Sequence, residues 1–141
     1  MQPKPTPTFN HKFTQAAITM NRMLNQFPNH EKYGLAQEIR RAMYGTYTFF
    51  VESYKRYHKK TSITNLDLQH ETWRMLVNLA HELKYFDYKD PKNPKVTGED
   101  RYKRVSMQID ELGRMIGGWI SKVRNTEDIH AKGALQSQKE T

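Results

Sequence analysis

Six histidines and fifteen carboxylates are the side chains of this sequence that could hold a metal ion or move a proton. A zinc-binding helix needs two histidines four residues apart around a glutamate, so that both ring nitrogens leave the same face. His70-Glu71 and His81-Glu82 each lack the second histidine at that spacing. The carboxylates are scattered among lysines and arginines on faces read as exposed helix, where ion pairing and solvation account for them. Cysteine is absent, which excludes a disulfide framework, a thiolate zinc site and a thiol nucleophile. No P-loop, no G-x-G-x-x-G after a strand and no G-x-S-x-G elbow occurs. The expectation is a protein that is not an enzyme and uses neither metal nor cofactor. A hydrolase or transferase would need a catalytic side chain that nothing here nominates.

The chemistry that the sequence does carry is cationic and aromatic. Arg40, Arg41, Lys55, Arg56, Lys59 and Lys60 are interleaved with tyrosines, and Arg74, Arg101 and Arg104 follow further along. Guanidinium and ammonium groups neutralise phosphates while aromatic faces stack on unpaired bases, a combination suited to single-stranded or structured RNA. The alternative for each residue is a solvated surface charge. The net charge is +8 with a sequence pI near 9.7, and it is unevenly placed. Residues 1–60 hold ten basic side chains against Glu31, Glu38 and Glu52, a balance of +7, and the remainder carries +1. Such a balance favours polyanionic partners.

These side chains need helices to place them. Residues 1–9, with Pro3, Pro5 and Pro7, read as a disordered extended arm. Phe13, Ala17, Met20, Leu24 and Phe27 then recur at helical spacing and predict a first helix over about 11–27. A second helix is expected over about 30–58, with a core face of Leu35, Ile39, Ala42, Thr46, Phe49 and Ser53. Roughly opposite lies another stripe, Arg40, Tyr44, Tyr47, Val51, Tyr54 and His58, flanked by Met43 and Phe50. Either a neighbouring subunit covers it or its tyrosine tips are solvated.

A polar break at residues 59–62 and a capping pair, Thr64 with Asp67, predict a third helix over about 64–86. Its apolar seam is read as Trp73, Leu76, Ala80 and Leu83, broadened by Leu68, Met75 and Leu79. A proline- and glycine-bearing loop leads to a second capping pair, Thr97 with Asp100, and a fourth helix over about 98–125. Tyr102, Val105, Ile109, Leu112, Ile116, Trp119 and Val123 give that helix the cleanest period in the chain. Residues 126–141 read as a flexible tail. The sum is an all-α, up-down-up-down four-helix bundle over residues 10–125. No stretch approaches a membrane span or a signal peptide, so the expected location is the cytoplasm.

Gly113, Gly117 and Gly118 stand out inside the fourth helix, because each interior glycine costs about 0.8–1 kcal/mol relative to alanine. Close approach of another backbone beside Trp119 would offset that, and a helix kink is the alternative. Tyr44, Tyr47, Tyr54, Gly113, Gly117 and Trp119 are therefore candidate subunit-interface or helix-packing residues.

Two stretches carry a family resemblance: FPNHEKYGLAQEIRRAMYG, residues 27–45, and ELGRMIGGWISKV, residues 111–123. Over residues 13–125 the chain resembles a four-helix-bundle superfamily. It includes the proteins encoded in intervening sequences of large ribosomal RNA genes and the accessory variability determinant proteins of diversity-generating retroelements. Phe27, Pro28, Glu31, Lys32, Tyr33, Gly34, Leu35, Ile39, Arg40, Arg41 and Ala42 match the intervening-sequence pattern, but Thr46–Ser53 depart from it and keep only Glu52. Gly113, Arg114, Gly117 and Trp119 match the last helix of the retroelement accessory proteins, which is the better subgroup match. That resemblance implies a homopentameric barrel that binds a reverse transcriptase and the template-repeat RNA with its flanks, and cDNA, during mutagenic copying. The alternative is a bundle of the intervening-sequence type, or an interaction module that binds no nucleic acid.

Overall fold

The computed structural model describes residues 6–55 and 59–140. They form four helices, α1 (Thr6–Leu24), α2 (Leu35–Lys55), α3 (Lys59–Glu82) and α4 (Gly98–Glu140), with a single 3-10 turn at Asn29–Glu31. No strand occurs among the described residues. Neighbouring helices run antiparallel, as their side-chain pairings show. Asn10 meets Tyr47 while Asn21 meets Arg40 across α1 and α2; His70 meets Ile109 while His81 meets Glu99 across α3 and α4. Lys12 bonds Glu111 while Phe9 reaches Trp119, which closes α4 back onto α1. Gly45 faces Gln69 on either side of the α2–α3 reversal. The result is a four-helix bundle with alternating helix direction.

The core is one cluster drawn from all four helices, including Phe9, Met20, Ile39, Met43, Leu66, Trp73, Val77, Val105, Ile109 and Leu112. Burying each such side chain contributes about 1.5–3 kcal/mol relative to leaving it in water. The α1–α2 seam is of another kind. There Tyr47 donates its hydroxyl to Asn10 at 2.7 Å, Asn21 donates to the Tyr44 hydroxyl at 3.3 Å, and Arg40 donates to both Asn21 and Asn25. Long polar side chains bridge these two helices beside the ring contacts Phe9–Phe50 and Phe13–Tyr47.

Several sequence expectations are corrected. Helix α1 begins at Thr6, inside the stretch read as a disordered arm, because Phe9 is fully buried against Phe50 and Trp119 and proline is tolerated in a first helical turn. Pro3 and Pro5 lie outside the described residues. Helix α2 starts at Leu35, after the 3-10 turn. Helix α3 starts at Lys59, so the expected polar break is helical. Burial of Ser62 and Ile63 holds it there, and the Thr64 hydroxyl donates back to the Lys60 carbonyl instead of capping a helix start. Only the second capping pair forms: Thr97 N–H donates to Asp100, and Asp100 N–H to the Thr97 hydroxyl.

Helix α3 ends with Lys84 at φ 65°, its N–H on the His81 carbonyl and the Tyr85 N–H on the Ala80 carbonyl. This is a Schellman motif with lysine where glycine is usual. Helix α4 continues to Glu140, through the residues read as a flexible tail. That stretch lost its apolar period but kept strong helix formers, Ala, Leu, Gln, Lys and Glu, and period and propensity are separate signals. At 1.5 Å per residue, α4 is roughly 65 Å long and outruns its neighbours.

Candidate nucleic-acid interface

The structure scatters the basic residues singled out above. Arg101, expected on the surface, is buried: it donates to the carbonyls of Phe86 at 2.7 Å and Tyr88 at 2.8 Å, and its guanidinium lies 3.9 Å from the centre of the Tyr88 ring. Burial raises the Tyr88 hydroxyl's pKa, and Arg101 opposes that shift. Arg101 thus pins the loop after α3 and is removed from any phosphate surface. Arg40 is half-buried and held by Asn21 and Asn25. Arg56 and His58 lie outside the described residues, as does the Lys59 side chain.

Arg41, Lys55, Lys60, Arg74 and Arg104 remain exposed. Arg41 pairs with Glu38 at 2.9 Å, and Lys55 sits 5.3 Å from the centre of the Tyr54 ring. Arg74 donates to Glu71 through two nitrogens, and that hydrogen bonding holds the Glu71 carboxyl below its ordinary value. Arg104 lines a shallow groove on α4 with Lys103, Arg114, Met107, Asp110 and Glu111. Several exposed cations share that surface depression, and carboxylates are mixed among them. Among the described residues no group of acidic side chains and histidines could hold a metal ion.

The second stripe of α2 is divided between core and seam. Met43 and Phe50, read as its flanks, are core residues, and Leu35 and Phe49 are only partly buried. Tyr44 and Tyr47 are satisfied by α1 of the same chain, and Tyr47 also lies 4.9 Å, ring to ring, from Phe13. Tyr54 is half-buried. Asn10 and Asn21 on α1, with Asn25 just past its end, were the missed signal: Asn10 accepts from Tyr47, Asn21 donates to Tyr44, and Asn21 and Asn25 accept from Arg40.

The three glycines of α4 separate in the same way. A Cβ on Gly113 would stand 2.7 Å from His70 Cε1, whereas Gly117 and Gly118 have open space within 4 Å. Gly113 therefore admits a ring that sequence reasoning overlooked. His70 is buried, and its Nε2 lies 2.7 Å from the Ile109 carbonyl. A carbonyl only accepts, so the proton is on Nε2. Trp119 stacks on Phe50 and lies tilted 5.2 Å from Phe9; it is partly buried and packs against the protomer's own core.

Along α3 the correction is largest. Leu66, His70, Trp73, Val77 and Ala80 face the core, while Leu68, Met75 and Leu79, and Leu83 just past the helix end, stand exposed.

Among the described residues no helix is long and apolar enough to cross a membrane. A family model described as bAvd-like matches residues 9–123. No curated protein and no solved structure matches the chain.

Proposed function

From the premise that this chain belongs to the bAvd-like family, we propose that it is a non-catalytic accessory protein of a diversity-generating retroelement. In this reading it is a homo-oligomer that binds the element's reverse transcriptase together with template RNA or cDNA. The family match over residues 9–123 carries the proposal. The net charge of +8 supports a polyanionic partner.

Phosphate contact falls to exposed cations that are not consumed by the fold. Arg104, with Lys103 and Arg114 beside it on α4, meets that condition; Arg101 and Arg40 do not. Contacts of this kind neutralise phosphates without reading bases, so affinity falls steeply with salt. Two measurements test the reading. Co-expression with a cognate reverse transcriptase should give a stoichiometric complex, and titration with template-repeat RNA should show a salt slope that flattens in the Arg104→Ala/Arg114→Ala double variant. A chain that co-purifies with no reverse transcriptase and is indifferent to RNA at low salt is not such an accessory protein.

A further inference from the structure

Arg40 carries a positive charge that the fold does not match. Arg41 and Arg74 each pair with a glutamate three residues earlier, Glu38 and Glu71, as helix spacing allows. At the same place before Arg40 stands Gln37, and one turn after it Tyr44, both neutral. Its guanidinium is held from α1 instead: Nε donates to Asn21 at 2.9 Å and Nη2 to Asn25 at 2.8 Å. Among the described residues no carboxylate bonds it. The side chain is half-buried, where an opposite charge is screened less than at the open surface.

The hydrogen bonds define what is missing. A guanidinium only donates, so both asparagines turn Oδ1 toward Arg40. The Asn21 amide nitrogen is thereby aimed at Tyr44, whose hydroxyl oxygen accepts it at 3.3 Å and keeps its own proton for another acceptor. Two of the five guanidinium N–H groups are used and three remain. Nε and Nη2 share one edge of the guanidinium, and the asparagine oxygens take that edge. The end formed by Nη1 and Nη2 is left with two parallel donors, which match the two oxygens of a carboxylate.

The rim of the seam fits a peptide. Ile18, one turn before Asn21 on the same face of α1, is 44% exposed, and Tyr44 is 50% exposed. An acidic side chain arrives with apolar neighbours that can cover such a rim, whereas a phosphodiester backbone does not.

We propose that this end of the α1–α2 seam binds a carboxylate from an acidic peptide segment of a protein partner. Arg40 takes both oxygens end-on, and the Tyr44 hydroxyl donates to one of them. Asn21 is the positioning residue, because its single amide orients Arg40 and Tyr44 together. The site rests on the geometry of the seam and not on the retroelement reading, and it leaves phosphate contact to the cations of α4.

NMR of the full chain, observing the Arg40 Nε–H signal and the Ile18 methyl groups, tests it with three probes: an acetylated and amidated Leu-Glu-Leu peptide, its Leu-Gln-Leu twin, and inorganic phosphate. The expected result is saturable shifts with the acidic peptide and binding at least about tenfold weaker for the other two, the loss of one charge-assisted hydrogen bond. Arg40→Lys keeps the charge without the fork and should weaken the acidic peptide to a similar degree. Asn21→Asp places a carboxylate where it accepts from both Arg40 and Tyr44, so the variant should melt no lower than the wild type and yet bind no peptide. Equal shifts from the Leu-Gln-Leu twin, or a folded Asn21→Asp chain that binds the acidic peptide as the wild type does, overturn the proposal. Phosphate binding as tight as the peptide overturns the ligand class. An acidic peptide that lowers the mass of a wild-type assembly in light scattering shows that a neighbouring copy fills the seam, which overturns a separate partner.

Discussion

The two ends of the bundle are closed by different physics. At the end where α1 begins, Phe9 stacks on Phe50 at 4.2 Å and lies 5.2 Å from Trp119, which packs on Phe50 at 5.6 Å. Three rings from three helices exclude water there by area alone. At the other end the chain leaves α3 and wanders through residues 83–97 before α4. Its irregular backbone exposes carbonyls that no helix satisfies, and buried Arg101 supplies the donors. Stacked rings tolerate small shifts, whereas a guanidinium on two carbonyls does not. The aromatic end should therefore contribute more stability, and the loop end more specificity of shape.

The largest expected effect is at the aromatic end. Phe9→Ala should destabilise by about 3–5 kcal/mol in urea unfolding and strip hydrogen-exchange protection from the first turns of α1. A loss below about 1 kcal/mol would show that those turns contribute little to the core. At the loop end, Arg101→Met keeps much of the volume but leaves the Phe86 and Tyr88 carbonyls without their donor. The expected loss is about 2–3 kcal/mol, with exchange protection lost over residues 83–97. Arg101→Lys should recover less than half of it, since a point ammonium does not reproduce the two-pronged donor or the stacking on Tyr88.

Between the ends, two neighbouring glycines should respond with opposite sign. Gly113→Ala pushes on His70 and its bond to Ile109, a net loss of about 1 kcal/mol after the helix-propensity gain. Gly117→Ala meets nothing in the protomer and should stabilise it by about 0.5–1 kcal/mol in thermal melts. The close backbone approach expected beside Gly117 does not arise within the protomer. At Lys84, with φ 65°, glycine relieves a left-handed backbone, and Lys84→Gly should raise stability by about 0.5–1 kcal/mol.

The smallest effect distinguishes the ends by pH. Asp90 is held below its ordinary value by bonds from the Asn93 side chain and the Lys92 backbone, and Asp100 by the Thr97 backbone and hydroxyl. A carboxylate whose folded pKa is depressed contributes stability that is present above its unfolded value and is lost as pH falls through the folded one. Both sit beside the loop. Acidification below pH 4 should therefore loosen amides of residues 86–101 before those of 9–16, and equal loosening at both ends would contradict the assignment.

Helix number, class and most of the core of α4 were legible from spacing, because Val105, Ile109, Leu112 and Ile116 repeat as one stripe and all four are buried. The second capping pair was equally legible, since Thr97 and Asp100 satisfy each other locally. The family, too, was readable in residues 27–45 and 111–123, and the match over 9–123 bears it out. Candidate site residues were much less so. Arg101 and Arg104 are three residues apart and identical in type, yet one is buried on carbonyls and the other lines a surface groove.

What the sequence determined by itself is periodicity, charge and local caps, all set by interactions within a few residues. What only the tertiary structure decided is which of two apolar stripes on α3 faces inward, which glycine makes room for a ring, and which arginine has a loop to hold. Helical spacing defines a direction around an axis but not what lies in that direction. That depends on partners distant in the chain, 39 residues apart for His70 and Ile109 and farther still for Phe9 and Trp119.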